Sequence, residues 1–313
     1  MTTDARTPRV TALVPAYNAV AYLAQALDSA LAQRFDDLEV VVVDDGSSDD
    51  TGAIADRYAA QHPDRIRVIH QPNAGLPAAR NAAIEMARGE LFALLDSDDV
   101  WKPDHLQLAV AAFDANPQLG LVHANIERID AHGNWIMTCG PRWRDVRDPY
   151  MAIALRLEHV SCPTVVFHRR CVEAVGAFDL QFTGLGCEDR DLWLRIAEHF
   201  PVRYLDEVTA SYRLHGNNMS ANHGKMTSAR LKLLDKLRGS PRGAAIADHV
   251  AAMIESDRGL EMHDAGRKGD ALLAQLSALR QRPQSWLIWR RAFGLARRYA
   301  TGAPTAWPAD RAE

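Results

Sequence analysis

Cysteine is scarce in this chain, and its pattern joins nothing. Cys139, Cys162, Cys171 and Cys187 form no C-x-x-C pair and have no histidine at zinc-finger spacing. That argues against a disulfide framework or structural zinc and for reduced thiols. No stretch approaches the ~20 consecutive apolar residues of a spanning helix. Met1 to Arg9 is polar, without the apolar core of a signal peptide, so a cytoplasmic chain is expected. Excess charge is missing too: Lys plus Arg 36 against Asp plus Glu 40 gives a net charge of -4, which argues against nucleic acid as a partner. Neither a G-x-G-x-x-G after the first strand nor a G-x-x-x-x-G-K-[ST] occurs, which disfavours a dinucleotide dehydrogenase or a P-loop enzyme. At 313 residues the chain has room for a large core and a second unit.

What is present centres on Leu94-Leu95-Asp96-Ser97-Asp98-Asp99, an apolar run ending in three carboxylates within four residues. Like charges so close repel, and no cationic side chain follows before Lys102, so a hard divalent ion is the natural counter-charge. The preceding run, Glu90 to Leu95, reads as a buried strand of a sheet covered on both faces. Its carboxyl end is where open α/β sheets bind ligands. A plain helix cap at Ser97 or Asp98 would account for one of the carboxylates, not three.

Strand and helix patterns alternate up to this point. Strands are expected at Val10 to Val14, broken by Pro15, at Leu38 to Val43 and at Ile66 to His70, with helices at 19–33, 52–61 and 76–88. That order predicts a parallel sheet with right-handed crossovers. A helix is expected from Pro103 to about Ala115, then a strand over 119–129 with a hairpin partner at 135–138, so the sheet becomes mixed. An irregular loop over 140–149 follows, then a helix over 149–157, a strand at 164–167 and a helix at 169–175. A second acidic focus, the glycine-rich stretch Thr183-Gly184-Leu185-Gly186-Cys187-Glu188-Asp189-Arg190-Asp191, reads as a loop opening a helix at 192–199. Short strands at 202–205 and 208–213 precede a loop at 215–220. Beyond about residue 224 the pattern is helical, near 225–238, 244–265, 269–280 and 284–300. The expected fold is thus α/β, a Rossmann-like mixed sheet flanked by helices, over residues 1–221, with a C-terminal helical extension over 222–313. Strand ends at Pro15-Ala16-Tyr17-Asn18, Asp44-Asp45 and Asp96 to Asp99 should converge on one sheet edge, and oxygen-only ligands there suit Mg²⁺ or Mn²⁺ bridged to a substrate diphosphate.

Four linked motifs carry a resemblance: Val14-Pro15-Ala16-Tyr17-Asn18, Val43 to Thr51, Asn73-Ala74-Gly75 with Ala79-Arg80-Asn81, and Asp96-Ser97-Asp98-Asp99. In order and spacing they resemble the family 2 glycosyltransferases of GT-A fold. Gly186 to Arg195 and Tyr212-Arg213-Leu214-His215-Gly216 look like that family's later motifs, so the likeness spans roughly residues 8–221. The resemblance implies an inverting, metal-dependent transfer of a sugar from a nucleotide diphosphate, UDP favoured, to a hydroxyl of a glycan or lipid-linked acceptor, as in bacterial surface polysaccharide synthesis. It implies that Pro15, Tyr17 and Asp45 hold the base, with the neighbouring Asp44 sharing that role, and that Asn18 belongs to the same nucleotide-sugar site. Asn73, Gly75 and Arg80 lie toward the donor, Arg80 near the diphosphate. Asp96 and Asp98 form the D-x-D pair that contacts the ribose and the metal, Asp96 and Ser97 lying on the nucleotide-sugar side. Asp98, Asp99 and His215 form the metal set for Mn²⁺ or Mg²⁺. Asp189 is the expected base, Asp191 its rival and Glu188 an orienting residue. The Q-x-x-R-W signature of processive members is absent, which argues for a non-processive enzyme.

The helix at 284–300 mixes Trp286, Trp289 and Phe293 with arginines, so it either lies on an anionic membrane surface at the inner face or packs its aromatics on the catalytic domain. Two other functions compete. A sugar-nucleotide nucleotidyltransferase would carry a basic Gly-rich loop after the first strand, where this chain has Pro15-Ala16-Tyr17-Asn18. A non-catalytic nucleotide-sugar binding protein would not need the intact Asp98 and Asp189.

Overall fold

The computed structural model describes residues 7–140, 148–156, 160–216, 218–219 and 223–301. The expected loop at 140–149, the end of the expected helix at 149–157 and the expected boundary at 221/222 lie wholly or partly outside them. The chain divides into two compact units: residues 1–153, 158–184 and 188–216 form one, and 154–157, 185–187 and 217–313 the other.

In the first unit, β1 (Val10–Ala16), β2 (Leu38–Asp44), β3 (Ile66–His70) and β4 (Leu91–Leu94) are parallel neighbours, joined by α1 (Leu23–Leu31), α2 (Thr51–Gln61) and α3 (Leu76–Met86). The continuous apolar runs have a simple cause, since every residue of β1, β2 and β4 is buried. Each buried Val or Leu contributes about 1.5–3 kcal/mol relative to exposure. Beyond β4 the sheet turns mixed. β5 (Val100–Trp101), α4 (His105–Ala115), β6 (Leu121–Ile129), β7 (Trp135–Cys139), α5 (Pro149–Ala154), β8 (Val166–His168), α6 (Arg169–Val175), α7 (Glu188–His199) and β9 (Val202–Arg213) complete it. Among the described residues the strand order is β3-β2-β1-β4-β8-β6-β9-β5, with β7 paired to β6.

Several boundaries differ from the sequence expectation. β1 does not break at Pro15; it runs to Ala16, with Pro15 paired to Val43. α1 begins at Leu23, because Asn18 adopts a left-handed φ of 48° and residues 19–22 form a turn. The two short strands expected over 202–213 are one strand, β9, in which Asp206 and Glu207 are passed over by a register shift opposite Ala124 and Asn125. α7 starts four residues early, at Glu188, and its first turn holds Glu188, Asp189 and Asp191, where carboxylates suit the positive end of the helix.

The register sets the strand ends side by side. Ala16 pairs with Asp44, and Leu94 lies opposite Leu13. β5 pairs antiparallel to β9, Val100 opposite Ser211, so Asp98 and Asp99 meet the segment around Arg213.

The second unit is helical: α8 (His223–Arg238), α9 (Pro241–Asp264), α10 (Lys268–Gln281) and α11 (Trp286–Thr301). Its interior includes Asp257, which takes ion pairs from Arg156 at 2.7 Å and Arg291 at 2.8 Å. No helix among the described residues is long and apolar enough to cross a membrane.

Candidate active site

Three strand ends and one helix start build the site, each by a local device. After β2, Asp45 is buried and gathers the loop that follows β3: it accepts from Gln71 Nε2 at 2.7 Å, Ala74 N at 2.9 Å and Gly75 N at 2.8 Å. Gly75 has φ +89°, and a Cβ there would stand 2.5 Å from Thr183 Cγ2, so the loop needs glycine. Asn73 on the same loop is exposed. Asp44 accepts from Ser47 N at 3.1 Å and pairs with His70 Nδ1 at 3.0 Å. Burial works against its ionised form, but these hydrogen bonds prevail and hold the carboxyl below its ordinary value. Bonds to Asp56 and Asp44 raise His70 correspondingly. After β1, Asn18 ties two loops together: its Oδ1 accepts from Ser48 N at 2.8 Å while its own N–H donates to Ser47 Oγ at 3.0 Å. Tyr17 beside it is 53% exposed, whereas Pro15 is buried within β1.

The acidic run after β4 is not an open cluster. Asp98 Oδ2 lies 2.8 Å from His215 Nε2. Asp99 is buried, its Oδ1 accepting from Arg213 N at 2.9 Å and its Oδ2 without a partner among the described residues. Burial, then the neighbouring carboxylates, push Asp99 well above the usual range, and burial and Asp96 raise Asp98 against the pull of His215. Ser97 is half-buried beside them.

Arg213 organises this corner, and no single motif letter assigns it a role. Its Nε donates to Asp98 O at 2.9 Å, an Nη reaches Gln25, and the guanidinium lies 4.9 Å over Tyr22. Tyr22 in turn stacks on His215 at 5.0 Å. The signal available in the sequence is the adjacency of Arg213 and His215; Tyr22 and Gln25 lie far away along the chain.

Arg80 joins the two acidic foci. It projects from α3, is 1% exposed, and donates through Nη1 to Glu188 Oε1 and through Nη2 to Asp96 Oδ1, each at 2.7 Å. Nη2 also contacts Cys162 Sγ at 3.3 Å, and the guanidinium lies 5.3 Å over Phe178. Both ends of the planar fork are thus occupied by protein carboxylates. Burial lifts Glu188 to about 7, against the opposing pull of Arg80 and with Asp189 adding to the rise. Asp189 is half-buried, its Oδ1 accepting from Arg190 N at 2.6 Å and its Oδ2 facing the Cys162 thiol at 3.8 Å. Asp191 points elsewhere: buried, it holds Arg195 through Nε at 3.0 Å and Nη2 at 2.8 Å, and Arg195 braces the carbonyls of Val175, Gly176 and Ala177.

The expected metal set is only partly assembled. Cis oxygen and nitrogen ligands of an octahedral ion stand about 3 Å apart, given bonds near 2.1 Å. The 2.8 Å between Asp98 Oδ2 and His215 Nε2 suits such a pair. Asp99 does not join them: among the described residues no group of three or more His, Cys, Asp or Glu side chains is placed to hold one ion. A two-ligand site fits Mg²⁺ or Mn²⁺, which take their remaining ligands from substrate phosphates and water.

Solved structures share this architecture. That of Staphylococcus aureus TarS 1–349 in complex with UDP-GlcNAc superposes with a TM-score of 0.65 at 18% identity, covering 94% of this chain and 92% of that one. The mannosyltransferase PcManGT from Pyrobaculum calidifontis, in complex with GDP-Man and Mn²⁺, gives 0.63 at 23% identity over 94% of this chain and 81% of its own. The fold is therefore GT-A. In sequence, the Glycosyl transferase family 2 profile matches residues 11–170. An uncharacterized glycosyltransferase of Nostoc sp. is 32% identical over 71% of this chain and 68% of its own. The chain belongs to glycosyltransferase family 2. Chondroitin synthase of Escherichia coli is 32% identical over 73% of this chain, which corresponds to 33% of that protein, and hyaluronan synthase of Pasteurella multocida 30% over 69%, or 21% of that protein. The chain thus spans a third or less of those two relatives.

Proposed function

We propose that the protein transfers a glycosyl group from a UDP-sugar to a hydroxyl of a glycan or lipid-linked acceptor, one sugar per encounter, with inversion at the anomeric carbon, as a step in surface polysaccharide assembly. The observation that carries this reading is the Arg80 bridge, in which one buried guanidinium ties Asp96 to Glu188, the residue before Asp189.

In this reading the base lies against exposed Tyr17, with Asp45 at its edge, and the loop Asn73–Gly75 held by Asp45 closes over it. Pro15, Asn18 and Asp44 shape that pocket through the backbone and loops they fix. Asp96 and Ser97 face the ribose. Asp98 and His215 would hold the divalent ion, which when bound offsets the charge of the departing diphosphate. Asp99 acts through the Arg213 backbone rather than as a ligand, and Arg80 acts as a positioning residue rather than at the diphosphate.

Asp189 is the base. Of the three carboxylates in the first turn of α7 it alone is half-open, and its Oδ2 is free of any strong donor among the described residues. The acceptor hydroxyl oxygen forms its bond to the anomeric carbon as the bond to the diphosphate oxygen breaks on the opposite face. The hydroxyl proton passes to Asp189. A lipid-linked acceptor would bring the reaction to a membrane face, with residues 284–300 supplying the contact.

Isothermal titration with UDP, dTDP and GDP, with and without Mn²⁺, tests the donor class. Metal-dependent binding of UDP that disappears in Asp98→Ala is the expected result. No binding of any nucleotide in the presence of metal would overturn the proposal.

A further inference from the structure

α11 is apolar on two faces. Ile288 and Leu295 are buried, yet Trp286, Trp289 and Phe293, expected as one alternative to pack inward, are 48%, 43% and 67% exposed. They recur at three- and four-residue spacing and form one outward stripe. α10 repeats the arrangement: Ala271, Ala274 and Ala278 are buried while Leu272, Leu273 and Leu276 are exposed. Leu273 and Leu276, with Ser277, Arg280 and Gln281, line a groove of about 300 Å³.

The two helices form an antiparallel hairpin. Tyr299 OH donates to Lys268 O at 2.6 Å, tying the end of α11 to the start of α10, and Trp289 Nε1 donates to Pro283 O at 2.8 Å at the turn. Leu273 and Phe293 lie five and six residues from that tie, so they stand at the same height, about 8 Å along the helices.

Charge separates the possible occupants. Across α10 and α11, Lys268 to Thr301, the chain carries Lys268, Arg280, Arg282, Arg290, Arg291, Arg297 and Arg298 against the single acid Asp270, which pairs with Arg267, in a protein whose net charge is -4. Of these arginines, Arg280, Arg290 and Arg297 are exposed. A second copy of this cationic face would repel the first, whereas an anionic surface would attract it.

We infer that the exposed faces of α10 and α11 together dock on an anionic lipid bilayer, the aromatics and leucines entering the headgroup boundary and the arginines meeting lipid phosphates. The inference rests on the proposed function only in giving a lipid-linked acceptor a reason to be there.

The full chain is sedimented with vesicles of phosphatidylcholine alone, and of phosphatidylcholine with roughly one quarter phosphatidylglycerol, at physiological salt. Binding to the anionic vesicles alone is expected. The set Arg280→Gln, Arg290→Gln and Arg297→Gln should weaken it about fivefold per residue removed. Trp286→Ala with Trp289→Ala and Phe293→Ala, and separately Leu273→Ser with Leu276→Ser, should each weaken it about tenfold or more. The arginine and leucine sets are exposed, so their thermal unfolding should match the parent; the α11 set also loses the Trp289 bond to Pro283 O, and Phe293→Ala alone, 67% exposed, repeats that arm with the fold intact. Four results would overturn the inference: no binding to anionic vesicles, equal binding to both compositions, loss in the α11 set but not the α10 set, or a self-associated species that the α11 set abolishes. UDP titration on the same samples separates this from the catalytic reading, because docking can fail with nucleotide binding intact and the reverse.

Discussion

Replacing Arg80 by lysine keeps the charge and removes the fork. Arg80 sends separate nitrogens to Glu188 and Asp96 at 2.7 Å each, and hydrogen bonds to charged groups contribute about 1.5–3 kcal/mol. A single ammonium replaces one of the two, so Arg80→Lys should lose about 2 kcal/mol of unfolding free energy near neutral pH. The loss has a pH signature. Glu188 stands at about 7 in the folded protein against an ordinary 4.5, so it takes up a proton on folding. Its contribution is therefore fully present below about pH 4.5 and is lost as pH rises through 7, a swing of about 3 kcal/mol. With its bond from Arg80 weakened, Glu188 moves higher still, and the variant goes on losing stability above pH 7 where the parent has levelled off. Turnover should fall about a hundredfold, since Asp189 is set beside Glu188 and a displacement near 1 Å is enough. Urea unfolding between about pH 5 and pH 8.5, with kcat and KM on the same samples, makes the measurement. A lysine variant with the parent's kcat and a stability difference that does not change with pH would refute the reasoning.

Tyr22→Ala removes the ring between Arg213 and His215, contacts worth about 1 kcal/mol each, and should weaken Mn²⁺ binding in the presence of UDP about tenfold by titration. Tyr22→Phe should restore it. Asp191→Asn should cost about 2–3 kcal/mol in chemical denaturation by loosening Arg195 from the 175–177 carbonyls, with UDP affinity unchanged. Abolished turnover in a stably folded Asp191→Asn protein would make Asp191, not Asp189, the base.

The parallel half of the sheet was legible because burial on both faces leaves unbroken apolar runs such as Val40 to Val43 and Leu91 to Leu95. Two-residue β5 was not, since Val100-Trp101 is too short to show a period, although its pairing to β9 brings Arg213 to Asp99. Glu188 to Asp191 read as loop because glycines precede them; three acids in four residues are equally a helix first turn. The carboxylates themselves were visible as strand-end residues. Their partners were not: Arg80 meets Glu188 across 108 positions, and Arg213 meets Asp99 across 114. Composition and spacing reveal which side chains stand at an edge, while the cation that pairs each one is set by topology.

The Asp45 carboxylate has a further consequence for what it can read. A carboxylate offers about four lone pairs. Gln71 and Ala74 occupy Oδ1 and Gly75 occupies one position on Oδ2, which leaves a single acceptor position unless the loop lets go. Uracil presents one N–H on its pairing edge, flanked by two carbonyls; guanine presents adjacent donors on N1 and N2. If Asp45 meets the base, the loop and a uracil can be satisfied together, while a guanine could be met in full only at the expense of the amides that shape the pocket. Choice of nucleotide would then be written in the loop's own hydrogen bonds rather than in any side chain reserved for the ligand.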